Sequence, residues 1–337
     1  MKEAMLYEKL DDAKVQCNLC NHRCTLKDGS YGICGVRQNI DGTLFSLVYD
    51  TIIAANVDPI EKKPLFQFYP GSRAYSVATV GCNFTCRHCQ NADISQFTQE
   101  RKGYIIGDTI SPVGIASDAQ RSGCTSIAYT YTEPTIFFEL SFDTAALAHT
   151  KGIKNVFVSN GYMTSEALKE ISPYLDGINI DLKAFTDTFY KEICGARLEP
   201  VLNTIKLAKE LGIWVEVTTL VIPTLNDSAS ELEQIAEFIK GVDRDIPWHI
   251  SQFYPTYQLT KLPRTPVETL HMARDIGLKA GLHYVYEGNV PGRGNENTYC
   301  YSCGGLLIER WGYSILKNTI EDGHCPACKA SIAGAGL

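Results

Sequence analysis

The chain has 337 residues, 45% of them hydrophobic, which is enough for one large core or two to three smaller ones. Its 31 Lys and Arg are scattered among 38 Asp and Glu, for a net charge of −7, so no basic stripe supports nucleic acid as a partner. No apolar run reaches the ~18 residues of a membrane span, and Met1–Asp12 lacks the apolar centre of a signal peptide, so the sequence predicts a cytoplasmic protein with no membrane partner.

In a reducing compartment the 13 cysteines are not expected to form disulfides, and their grouping points to metals instead. Residues 1–70 read as a Cys-rich N-terminal segment. Cys17, Cys20, Cys24 and Cys34 there pack four thiols into eighteen residues, a set that suits either zinc or an auxiliary 4Fe-4S cluster, with His22 as a competing ligand.

Residues 71–288 read as the core. Six strands are predicted, at Ala74–Val80, Ser126–Tyr131, Asn155–Val158, Gly177–Asp181, Trp214–Val221 and Trp248–Phe253. Helical patterns fill or follow the gaps, at Ser111–Ser122, Thr135–His149, Thr164–Ile171, Glu199–Leu211, Ser228–Lys240 and Pro266–Ala280. The fifth of these is the clearest. Leu232, Ile235, Ala236 and Ile239 form an i, i+3, i+4, i+7 stripe behind a Ser228/Glu231 capping box. Strand–helix repeats of this kind favour an α/β fold with right-handed crossovers and a parallel sheet, either doubly wound or part of a barrel.

The most informative segment follows the first predicted strand. Cys82, Cys86 and Cys89 stand in Val80-Gly-Cys-Asn-Phe-Thr-Cys-Arg-His-Cys-Gln90, a Cys-x3-Cys-x2-Cys loop. Iron–sulfur cubanes are normally held by four thiolates, so three leave one iron open to an outside ligand. A zinc knuckle is the plainer alternative, but zinc wants a fourth ligand and the loop offers only His88, wedged between two cysteines.

Residues 289–337 read as a small module. Cys300-x2-Cys303 and Cys325-x2-Cys328 are paired knuckles that aim four thiolates at one ion, a zinc-ribbon or rubredoxin-like arrangement for zinc or iron, with Leu306–Trp311 as a short strand. The small-residue tail from Ala330 is expected to fray. Cys124 and Cys194 read as packed thiols rather than ligands.

The central loop, with an aromatic residue just before its last cysteine, resembles that of the radical SAM enzymes. The resemblance implies a partial (β/α)6 TIM-like barrel with the cluster loop after its first strand. It also implies a 4Fe-4S cluster that binds S-adenosylmethionine (SAM) at its open iron and cleaves it reductively to a 5′-deoxyadenosyl radical. An electron donor such as flavodoxin or ferredoxin is then a partner.

Tyr129-Thr-Tyr-Thr-Glu-Pro-Thr135 stands where such enzymes carry a Gly-Gly-Glu motif, which makes Thr132 and Glu133 candidate acceptors for the SAM amino group; Glu133-Pro134 also reads simply as a helix start. Ser159-Asn160-Gly161 and Asp181-Leu182-Lys183 resemble motifs of the glycyl-radical-enzyme activases, implying Asn160, Asp181 and Lys183 as SAM contacts, although both segments also read as a turn and a cap. Val158 and Thr218 depart from the Asp and Arg common in activases. Phe84 and His88 in the loop and His249 on the last strand complete the candidate cofactor contacts; a lone strand His is more often a core residue.

Taken over its whole length, including Cys17 to Arg37, Gly288-Asn-Val-Pro-Gly292 and Thr298 to Gly304, the sequence resembles the AmmeMemoRadiSam system radical SAM enzymes. That family implies Memo-like and AMMECR-type protein partners. Three functions follow as alternatives: hydrogen abstraction from a substrate that no motif encodes, activation of a glycyl-radical enzyme of the pyruvate formate-lyase type, or a non-catalytic metal-bound scaffold.

Overall fold

The computed structural model describes residues 1–290 and 295–337, and its centre is an eight-stranded sheet whose strands lie side by side in chain order. They are β1 (Ala54–Pro59), β2 (Arg73–Ala78), β3 (Ser126–Tyr129), β4 (Lys154–Ser159), β5 (Gly177–Asp181), β6 (Trp214–Val221), β7 (Trp248–Gln252) and β8 (Val285–Gly288). From β2 to β8 every neighbouring pair is parallel, and β1 runs antiparallel along β2. β1 and β8 are the two edges of this ladder and do not pair with each other, so the sheet is an open, partial barrel.

The parallel strands are mostly buried without alternation, as expected for strands covered on both faces; all four residues of β3 are buried. Helices make the crossovers: α1 (Pro112–Arg121), α2 (Phe138–Thr150), α3 (Ser165–Ile171), α4 (Leu198–Glu210) and α5 (Ala229–Val242), with α6 (Val267–Ala280) before β8. The signals that start them are legible in the sequence. Ser111, Thr164 and Ser228 each accept a hydrogen bond from a first-turn N–H of the helix that follows. The α5 stripe of Leu232, Ile235, Ala236 and Ile239 is fully buried.

All six predicted strands form, and two more join them. β8 is only four residues long and ends in Glu-Gly, too short a run to stand out, while β1 carries mainly exposed or half-exposed residues and reads as loop.

Before the sheet, short strands make two small antiparallel sheets, one of them carrying Cys17. After it, β9 (Thr298–Tyr299), β10 (Leu306–Trp311) and β11 (Ser314–Asn318) form a third. This last unit shares an apolar cluster with Phe66, Tyr284 and Tyr286 of the core. Arg310 fastens it further: its guanidinium donates to Phe66 O at 2.7 Å and lies 4.6 Å from the Phe66 ring centre. The tail does not fray as expected. Ala335 N–H donates to Gln67 O, Tyr69 N–H donates to Ala335 O, and Ile332 is buried. The last part of the Gly288–Gly292 motif lies outside the described residues.

Candidate functional site

A cavity of about 500 Å³ opens at the C-terminal ends of the parallel strands. Cys82, Phe84, Cys86, His88 and Cys89 enter it from the loop after β2, Thr132 and Glu133 from the loop after β3, and Asn160 from the end of β4. Asp181 and Lys183 reach it from β5, and His249 from β7. Residues spread over 168 positions of sequence thus meet in one place, on the rim where parallel α/β folds put their ligands.

The cysteine loop is held by backbone hydrogen bonds to a neighbouring turn. Thr85 N–H donates to Cys194 O at 2.8 Å and Arg87 N–H to Ile193 O at 2.9 Å. Gly195 makes this approach feasible: it sits at φ +71°, and a Cβ there would stand 2.4 Å from Thr85 Oγ1. The thiols are polarised by their surroundings. Phe84 N–H donates to Cys82 Sγ at 3.4 Å, and Ser95 Oγ lies 3.1 Å from Cys89 Sγ. The neighbouring Cys194 thiol lowers the Cys86 pKa, whereas burial pushes that of Cys82 well up. Cys194 is fully buried and does not line the cavity.

Glu133 is more engaged than its sequence context implies. Oε1 accepts from Thr135 N (3.0 Å), Thr135 Oγ1 (2.5 Å) and Ser159 Oγ (2.8 Å), and Oε2 from Asn160 N (2.8 Å). It therefore caps the short turn after it and ties the ends of β3 and β4 together, while still facing the cavity. Asn160 in turn donates to Asn83 Oδ1 at 2.7 Å. Thr132 Oγ1 donates to Thr79 O at 3.0 Å.

Lys183 Nζ donates to Asp181 Oδ2 at 2.8 Å. Burial opposes its charge, but Asp181 and the neighbouring thiols of Cys86 and Cys194 outweigh it and raise the Lys183 pKa. His249 has the partners of a core residue as well as a place on the cavity wall. Its Nε2 is 2.6 Å from Glu216 Oε2, and its ring stacks on Tyr286. Burial drops the His88 pKa to about 3, with Lys183 adding to the effect, so its imidazole is neutral.

One group on the wall was not foreseen. Lys63, almost fully buried, donates to Asp58 Oδ2 at 2.7 Å and lies 4.4 Å from the ring centre of Tyr131. Tyr131 closes the set by bonding Asp58 through its hydroxyl. It occupies the position of a motif glycine and adopts φ +64°, a conformation that costs a side chain energy and that the Asp58 bond helps to hold. In sequence, Asp58, Lys62 and Lys63 look like a solvated charge run; only the antiparallel return of β1 brings Lys62 and Lys63 to the cavity, each bonded to Asp58.

The other cysteine sets lie elsewhere. Cys300 and Cys328 stand 3.6 Å apart, Cys303 and Cys325 3.7 Å, and all four thiols fall within 4.8 Å of one another. Sulfurs ~2.3 Å from one ion at tetrahedral corners would be ~3.8 Å apart, so this set fits a single metal ion. Cys17, Cys20, Cys24 and Cys34 line a separate small cavity with His22 and Arg37. His22 is spoken for in part: its Nε2 is 2.7 Å from Asn83 O.

The radical SAM superfamily profile matches residues 76–239, spanning β2 to α5 and including the three-cysteine loop. The chain belongs to the radical SAM superfamily. The uncharacterized protein MJ0808 of Methanocaldococcus jannaschii is 48% identical over 335 residues, covering 98% of this chain and 99% of that one. A putative glycyl-radical enzyme activating enzyme of the same organism, MJ1632, is 26% identical over 208 residues, 60% of this chain and 76% of that one. Among solved structures, SuiB of Streptococcus suis bound to S-adenosylmethionine superposes with a TM-score of 0.51 at 13% identity, over 68% of this chain and 53% of that one, a likeness of fold.

Membership implies a 4Fe-4S cluster and SAM, and the cavity suits both. Three thiols line it, and His88 Nδ1 is a buried polar atom with no protein partner. No described helix is long and apolar enough to cross a membrane.

Proposed function

We propose that Cys82, Cys86 and Cys89 hold a 4Fe-4S cluster whose fourth iron is left for SAM, and that the enzyme abstracts hydrogen from a substrate admitted through the same cavity. When bound, the cluster and SAM supply a one-electron reductive cleavage that yields a 5′-deoxyadenosyl radical. The single observation that carries this reading is the meeting of the three thiols with Asn160, Asp181, Lys183 and Glu133 in one cavity of about 500 Å³.

The chain's own residues divide the work. Asn160 and the Phe84 N–H steady Cys82. Lys183, held by Asp181, places a cation beside the anionic thiolates and offers an electrostatic partner to a carboxylate. Glu133 fixes the ends of two strands on the side where an ammonium group would bind, and Thr132 gives that side a hydroxyl. Phe84, His88 and His249 line the remainder. A small electron-transfer protein such as flavodoxin or ferredoxin is the proposed reductant.

The likeness to MJ1632 favours a second reading, in which the hydrogen comes from a glycine of a large partner enzyme. The motifs outside the barrel, similar to those of the AmmeMemoRadiSam system, support Memo-like and AMMECR-type proteins as partners. Domain limits of 1–70, 71–288 and 289–337 are proposed with this reading.

Anaerobic protein given reductant and SAM should form 5′-deoxyadenosine, and Cys86→Ala should reduce it to the background level. Retained cleavage without Cys86 would defeat the assignment. An EPR doublet appearing on an added glycyl-radical enzyme would select the activase reading.

A further inference from the structure

The three cysteine sets differ in spread. Among the described residues, only the C-terminal four bring at least three His, Cys, Asp or Glu ligand atoms within 4.8 Å of one another. That closeness is what one tetrahedral ion demands. Cys17, Cys20, Cys24 and Cys34 line one cavity together, yet no three of their thiols come that close. In a cubane each thiolate binds a different iron at its own corner, so the sulfurs must stand farther apart than around one ion. The thiols of Cys82, Cys86 and Cys89 likewise do not gather that closely.

A second observation points to a hydrogen-bond acceptor in that cavity. Arg37 lines it and is 2% exposed. Nη2 binds the Glu139 carboxylate at 2.6 and 2.7 Å, while Nε and Nη1 have no protein partner. A buried guanidinium carries a penalty for each N–H left unpaired, and thiolate or sulfide sulfur beside it would remove that penalty.

We propose that Cys17, Cys20, Cys24 and Cys34 hold a second iron–sulfur cluster, a 4Fe-4S cubane with all four corners ligated by protein, and that the free N–H groups of Arg37 face its sulfur. The cysteine loop is docked for the purpose. Asn21 N–H donates to Tyr162 O at 2.9 Å and Thr164 Oγ1 to Asn18 O at 2.8 Å, which fixes it to the segment after β4. Cys34 O accepts from Thr98 Oγ1 at 2.7 Å and would lie 3.2 Å from a Cβ on Gly81, next to Cys82. This site stands whether or not SAM binds as proposed above.

The test is iron, sulfide and zinc content with Mössbauer spectra on anaerobically purified full-length protein. The wild type should carry two cubanes' worth of iron, ~8 per chain, with matching sulfide. The triple variant C82A/C86A/C89A should keep ~4 irons with a cubane spectrum, since it leaves the second set intact. Wild-type protein with one cubane and zinc at two sites would overturn the proposal, as would a folded triple variant without iron. Wild-type protein that holds the second cubane but none at Cys82, Cys86 and Cys89 would instead count against the SAM-site assignment.

Discussion

Asp58 is the residue on which the unforeseen side of the cavity depends. It meets Lys62 at 2.8 Å, Lys63 at 2.7 Å and the Tyr131 hydroxyl, and of these Lys63 is the costly partner because it is buried. Burial holds the Lys63 pKa at about 8, below the ordinary lysine range even with Asp58 beside it. Asp58→Asn should therefore destabilise the fold at pH 7 by about 3 kcal/mol, the lower end for breaking a buried pair, because Lys63 can escape by losing its proton. The folded Lys63 pKa lies below the unfolded one, so between them the unfolded chain binds more protons and stability rises with pH. Without Asp58 that window opens lower, and the deficit relative to wild type should shrink between pH 7 and pH 10. Denaturant melts of both proteins at the two pH values check it; a deficit that does not change with pH would separate Lys63 from the effect.

The residues of the cysteine loop were legible because metal chemistry restricts them to a type and a spacing. Glu133 was half legible. Its place in a motif marked it as a cavity residue, but the four protein donors on its carboxylate come from three chain positions that only folding assembles. Lys63 was not legible at all, since a lysine after a charged pair reads as surface.

At the scale of elements, the two C-terminal knuckles are built alike. Cys300 N–H donates to Gly305 O and Gly304 N–H to Cys300 O; Cys325 N–H donates to Ala330 O and Lys329 N–H to Cys325 O. Gly304 and Lys329 occupy the same position in each turn and both are left-handed, at φ +73° and +61°. The first knuckle announces itself by its glycine, and the second pays the strain with a lysine, so only cysteine spacing reveals it. So small a unit would draw much of its folding energy from an ion held by these four thiols. Cys325→Ser should release one metal ion per chain and expose the segment from Thr298 onward to protease before the barrel unfolds. Metal analysis with limited proteolysis checks this; a metal-free variant as resistant as wild type would show that Arg310 and the shared apolar cluster hold the unit unaided.

At the scale of the whole molecule, alternating strand and helix patterns identified the α/β class and all six strands that were predicted, because long apolar runs and Ser or Thr caps are local signals. What was not legible came from partners distant in sequence. β1 exists because it lies along β2, β8 because it extends the edge beyond β7, and the tail is ordered because Gln67 and Tyr69 bind it. The choice between an open barrel and a doubly wound sheet came from resemblance, and the chain-order ladder now carries it.

The cavity at the strand ends is the proposed functional centre, and the proposal's defining claim is an iron with no protein ligand that takes SAM. Electron–nuclear double resonance on the reduced, anaerobic protein with SAM labelled with ¹⁵N at its amino group reads that contact directly. A hyperfine coupling between the cluster and the label, absent from C82A/C86A/C89A, is the predicted result; a reduced cluster at these cysteines with no coupling to bound SAM would contradict it.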